Sequence, residues 1–129
     1  MGDMALSRPR HSVAPEHRAN TMKLWLDDRR ESPPGWAWVK TPTATIALLQ
    51  TDVVEELSLD HDLGLWDEDG REQTGYDVLI WIEEQVVLHG FRPPSLTVHS
   101  ANSAARIRME HALKSIMRHA AERRERPPD

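Results

Sequence analysis

The chain has 129 residues, 39% hydrophobic and 29% charged, with a formal net charge of −5 and no cysteine. That length carries one domain with a real core, and the composition is that of a globular chain, not a disordered or membrane-spanning one. The missing thiol excludes disulfides, thiolate catalysis and thiolate metal sites together, and no secretory h-region is visible, so a cytoplasmic address without membrane contact is expected.

Residues 1–21 mix Arg, His, Pro and Ser without apolar periodicity and are expected to be a disordered tail. The ordered domain is expected over 22–121, with a charged tail over 122–129. The first strand, Met22–Leu26, ends abruptly at Asp27-Asp28. Arg29–Gly35, with Pro33-Pro34, cannot be helical. Trp36–Lys40 reads as a second strand, and Thr41-Pro42-Thr43 opens a helix through Gln50. Val53–Asp60 is a third strand, again ending on an acid, and Gly64–Gln73 reads as a polar loop. Tyr76–His89 is a helix closed by Gly90, and Ser95–His99 is the fourth strand. The last helix, capped by Asn102 or Ser103, carries an apolar stripe from Ala105 to Ala120. The order β–loop–β–α–β–α–β–α argues a parallel sheet with right-handed crossovers.

In such a sheet the carboxyl ends of the strands line one crevice, where ligands bind. Three strand ends carry chemistry: Asp27-Asp28-Arg29, Asp60-His61-Asp62 and His99-Ser100-Ala101-Asn102. Paired carboxylates suit Mg²⁺ or Mn²⁺, though alone they are also ordinary turn formers. Asp60 and Asp62 share a parity, so both face the crevice in a regular strand. His99 reads equally as a site residue or as a buried neighbour of a helix cap. Amides at the start of the last helix offer an anion site, and Arg106, one turn on, suits a phosphate. Most of the five tryptophans are expected to pack in the core or at its rim, with Trp66 in the polar loop suited to stacking on a base. Residues 22–91 carry 15 acidic and 5 basic side chains; residues 92–129 carry 4 acidic and 8 basic ones. That layout suits a cation site approached by a polyanion, while the charges beyond Arg108 read as solvated surface.

LWLDDRR, PPGW, SLDHDLG, TGYDVLIWIEE and TVHSAN resemble the cyclic-phosphate-processing receiver domain, a divergent branch of the response-regulator receiver, over about Met22 to Met117. The resemblance implies a small flavodoxin-like three-layer α/β fold; the sequence departs from an ordinary receiver in having a four-stranded parallel sheet, the first helix replaced by the Pro-rich loop and the fifth strand missing. It also implies processing of 2′,3′-cyclic phosphate ends of RNA or nucleotides in RNA repair. In a receiver the acid pair binds Mg²⁺, the third acid accepts a phosphoryl group and a hydroxyl contacts it; those places fall on Asp27 and Asp28, Asp60 and Ser100.

The combined expectation is a metal-assisted phosphoesterase. Asp27, Asp28 and Asp60 would hold Mg²⁺ or Mn²⁺; His61 and His99 would be general acid and base in an unassigned order. Asp62 would orient His61 or complete the metal shell, and Ser100, Asn102, Arg106 and Arg29 would hold phosphate oxygens. Three alternatives stand beside it: a signalling receiver phosphorylated on Asp60, a phosphatase with Asp60 as nucleophile and Asp62 as acid, and a non-catalytic binder of nucleotide phosphates.

Overall fold

The computed structural model describes residues 21–125. The expected N-terminal tail, apart from Thr21, and residues 126–129 lie outside them. The elements run β1 (Met22–Leu26), β2 (Trp36–Val39), α1 (Pro42–Leu49), β3 (Val54–Leu59), β4 (Asp62–Trp66), β5 (Glu72–Thr74), α2 (Gly75–His89), β6 (Ser95–Val98) and α3 (Ser103–Glu125). One parallel sheet has the order β2-β1-β3-β6. The first crossover is the Pro-rich loop, as expected, and among the described residues no fifth strand joins beyond β6.

Alternation along the strands sorts the sheet into two unlike faces. Leu24, Leu26, Leu57, Leu59 and Leu96 lie on one face and share a core with Leu49 of α1, Val78, Ile82 and Val86 of α2, and Met109 and Ile116 of α3. The β2–β3 and β3–β6 crossovers run in the same direction across the sheet, so right-handedness puts their helices on the same face. A helix on the other face would have to come from the β1–β2 crossover, which the prolines forbid, so the described residues form two layers where three were expected. The loop there is tied down instead: Trp25 Nε1 donates to the Arg30 carbonyl at 2.9 Å and Ser32 Oγ donates to that of Trp36 at 3.2 Å.

Local chemistry fixes the helix starts. Thr41 Oγ1 accepts the Ala44 amide at 3.0 Å with Pro42 in the first turn. Thr74 and Asp77 form a capping box on α2, and Gly90 ends it at φ 67°, a left-handed conformation that costs glycine little. Asn102 caps α3, its Oδ1 accepting the Ala105 amide at 3.1 Å.

Two elements differ from the sequence expectation. The segment read as a polar loop contains a hairpin, with β4 antiparallel to β5 and a register shift between Asp62 and Leu65. The shift and Gly64 at φ 65° break the two-residue alternation that would have revealed the strands. Helix α3 continues to Glu125, beyond Ala121, because Glu and Arg propagate a helix even where the apolar stripe has ended. No helix among the described residues is long and apolar enough to cross a membrane.

Candidate functional site

Asp27, Asp60 and His99 each follow the last residue of one of three neighbouring strands, and the ladder hydrogen bonds continue into them. The Asp60 amide donates to the Leu26 carbonyl and the His99 amide to the Leu59 carbonyl, both at 2.9 Å. Continuing the strand alternation, all three lie on the helix-free side.

Asp27 is 3% exposed. Its Oδ1 accepts the amides of Arg29 at 2.9 Å and Arg30 at 2.8 Å, an Asx turn that ends the strand and swings Asp28 round beside it. One carboxylate oxygen from each of Asp27, Asp28 and Asp60 lies within 4.8 Å of the others. This hard, all-oxygen set fits a small divalent cation such as Mg²⁺ or Mn²⁺. Gly64 passes close by: a Cβ there would sit 3.4 Å from Asp28 Oδ2.

His99 reaches this cluster, and both its ring nitrogens are engaged. Nε2 lies 3.1 Å from Asp27 Oδ2, Nδ1 lies 2.7 Å from Ser58 Oγ, and the ring stacks on Trp25 at 3.7 Å between centroids. A neutral ring must place its proton on Nε2, since a lone pair there would face a carboxylate; Ser58 then donates to Nδ1. The Ser–His–Asp chain invites a nucleophile reading, but Ser58 is 4% exposed, closed off from an incoming substrate.

His61 belongs to a second, adjoining group. Its amide donates to Asp60 Oδ1 at 2.8 Å and its Nδ1 lies 2.6 Å from Asp62 Oδ1. Its Nε2 has no hydrogen-bond partner among the described residues. Asn102 Nδ2 donates to both Asp62 oxygens at 3.4–3.5 Å, so Asp62 faces the imidazole and the α3 cap and is not one of the three clustered carboxylates. Ser100 is buried and its Oγ accepts the Asn102 amide at 3.1 Å. Arg29 is almost wholly exposed, 3.8 Å from Asp28. Arg106 turns along its own helix to Glu110 at 3.3 Å.

A family model for the cyclic-phosphate processing receiver domain matches residues 22–115. The chain belongs to that family. Neither a curated protein nor a solved structure gives a match. Receiver membership agrees with the sheet order and with the acids at the ends of β1 and β3.

Electrostatics in this receiver domain follow from crowding. Burial pushes the Asp60 carboxyl above its ordinary range, Asp27, Asp62 and Asp28 add to the rise, and the His61 amide opposes it. Burial also acts to raise Asp27, but the Arg30 and Arg29 amides and His99 outweigh it and hold Asp27 low. Burial holds His99 below its usual range against the pull of Asp27, with Arg30 adding to the lowering. The Asp60 cost is absent below its unfolded value and grows as pH rises through the raised folded one. Asp60→Asn is therefore expected to raise Tm at neutral pH, by about 4–8 °C for each 1 kcal/mol relieved, and the gain should vanish in acid. Calorimetry at the two pH values checks this; an unchanged or lower Tm at neutral pH would show that the repulsion is already relieved.

The strand-end rule located Asp27, Asp28, Asp60 and His99, but it missed Ser58 and Trp25. Their signal was parity: Ser58 alternates with Asp60, and Trp25 with Asp27.

Proposed function

We propose that this receiver domain is a metal-assisted phosphoesterase that opens 2′,3′-cyclic phosphates at the ends of RNA or on nucleotides. The observation that carries the reading is the juxtaposition of the Asp27–Asp28–Asp60 oxygens with a histidine pair in a family of cyclic-phosphate processors. A divalent cation held by these three carboxylates would supply charge neutralisation for the phosphoryl group. Its positive charge would also offset the burial and the neighbouring carboxylates that raise Asp60.

The two histidines take different parts. His99, with both nitrogens bonded and one ring face covered by Trp25, holds Asp27 in place. His61, oriented by Asp62 at Nδ1, moves the proton at Nε2. That nitrogen takes it from water as the new P–O bond forms. The departing ribose oxygen receives it, directly or through solvent, as the ring P–O bond breaks. The product is a phosphomonoester beside a free hydroxyl. Asn102 steadies Asp62, while Arg29 and the free amides at the start of α3 attract the phosphate oxygens.

The test is to incubate the pure chain with Mg²⁺ or Mn²⁺ and a 2′,3′-cyclic nucleotide, following the phosphorus by NMR. The expected result is a monoester, abolished by a chelator and slowed by about 10²–10⁴-fold in His61→Ala. No turnover with either metal overturns the proposal. Phosphorylation of Asp60 by a small phosphodonor, seen as a one-phosphoryl mass increase absent from Asp60→Asn, would assign the site to signalling instead.

A further inference from the structure

Parallel sheets are almost always covered on both faces, yet the described helices cover only one face here. The uncovered face is also not composed as a solvated one. Lys23, Trp25, Trp36, Trp38, Glu56, Ser58, Ser95 and Thr97 share it, and three of these eight are tryptophans. None of the three belongs to the hydrophobic core or to the residues packed against it, so core packing does not account for them. The structure corrects the expectation that most tryptophans serve the core or its rim.

We propose that the helix-free face is a platform for single-stranded RNA, with Trp36 and Trp38 stacking the bases that lead into the Asp27–Asp60–His99 crevice. Stacking on aromatic rings set along a positively lined groove is the general way proteins hold single strands, and a sheet face can present it. The geometry joins platform to site without a gap. Trp38 Nε1 donates to the Asp27 carbonyl at 2.7 Å, so this indole, 36% exposed, is tied to the residue that anchors the carboxylate cluster. Trp36 stands two residues back on the same strand, about 6.6 Å away at strand rise, and meets Trp25 edge-on at 6.0 Å. Trp25 in turn stacks on His99.

The cations lie where a backbone needs them. Lys40 Nζ lies over the Trp38 ring at 4.7 Å from its centroid, and Lys23 Nζ lies over that of Trp36 at 5.9 Å, also 3.9 Å from Glu56 Oε1. Arg30, at the crevice end, donates to the His99 carbonyl, and Arg29 next to it is exposed. A chain laid base-down on the two indoles displaces Lys23 and Lys40 from the ring faces toward its phosphates, with its terminal phosphate at the crevice beside the arginine pair. This inference rests on the proposed function and narrows its substrate to RNA ends over free nucleotides.

The test titrates the full chain into a fluorescein-labelled single-stranded hexaribonucleotide with a 3′-hydroxyl, read by anisotropy, with a DNA duplex as control. Because that probe carries no cyclic phosphate, platform and catalysis succeed or fail separately. The expected result is binding of the single strand over the duplex, weakened at least tenfold by Trp36→Ala and Trp38→Ala, and largely retained by Trp36→Phe, which keeps a ring. Thermal melts confirm that each variant is folded, and Lys40→Ala gives a second reading should an indole variant unfold. Absence of binding, or binding indifferent to the double alanine variant and to Lys40→Ala, overturns the platform. So does a dimer dissolved by Trp38→Ala in sedimentation with no RNA bound, which would assign the face to a second copy. Turnover of a cyclic mononucleotide alongside no RNA binding would leave the phosphoesterase standing without the platform.

Discussion

Gly75→Ala is expected to destabilise the domain by about 3 kcal/mol or more, at the upper end of overpacking costs. The added Cβ would lie 1.9 Å from the Asp60 carbonyl oxygen, 3.0 Å from its carbon and 3.2 Å from Met109 Cε. Only the methionine can swing away; the peptide following Asp60 cannot, because the Asp60 amide is held by Leu26 and the Gly75 amide itself donates to His61. The first turn of α2 must back off from the end of β3, opening the core around Val78 and Met109. For a domain of this size the expected fall in Tm is about 12–24 °C, read by circular dichroism or calorimetry. A Tm within about 4 °C of the parent would show that the contact relaxes easily. Since the displaced peptide joins Asp60 to His61, any surviving folded fraction should also bind a divalent cation more weakly.

His99→Phe keeps a flat ring over Trp25 but removes both ring nitrogens. It is expected to cost about 2–4 kcal/mol, because the Ser58 hydroxyl and one Asp27 oxygen are left buried without partners. The pH dependence gives a sharper reading than the size of the loss. His99 titrates below its unfolded value, so the native state disfavours its proton. Wild-type stability is then full above the unfolded value of about 6.5 and falls as pH drops from there toward the lowered folded value. Asp27 has the opposite origin and a lower window: its contribution is present above its unfolded value of 3.8 and is lost as pH falls through the depressed folded one. Urea midpoints should decline more between about pH 8 and pH 5 in the parent than in His99→Phe. Equal declines in both would mean that another group carries the titration.

These two predictions draw on different layers of information. That Asp27, Asp60 and His99 end apolar strands is visible in the chain, and the rule for open parallel sheets brings such ends together. That Gly75 leaves no room for a Cβ, or that His99 is wedged between Ser58 and Trp25, depends on contacts between strands that are distant in sequence. The Asp62 carboxylate illustrates the limit. Its parity with Asp60 pointed it into the crevice, yet the irregular start of the β4–β5 hairpin directs it to His61 and Asn102. Arg106 illustrates another limit, since the helical position suits a phosphate equally well as it suits Glu110 four residues on.

By itself the sequence determined the order of the four sheet strands and three helices, the helix ends at Thr41 and Gly90, the loop in place of a first helix and the acids that end β1 and β3. All of these follow from backbone propensity, turn chemistry and hydrophobic period, which act within a few residues. Only the tertiary structure decided the strand register, and with it which side of the sheet the helices cover. A one-residue slip of β1 would carry Trp25 and Asp27 to the opposite face, away from Trp38 and Ser58 on its neighbours. Their gathering beside His99 is therefore a property of long-range pairing and core burial, which no local pattern encodes.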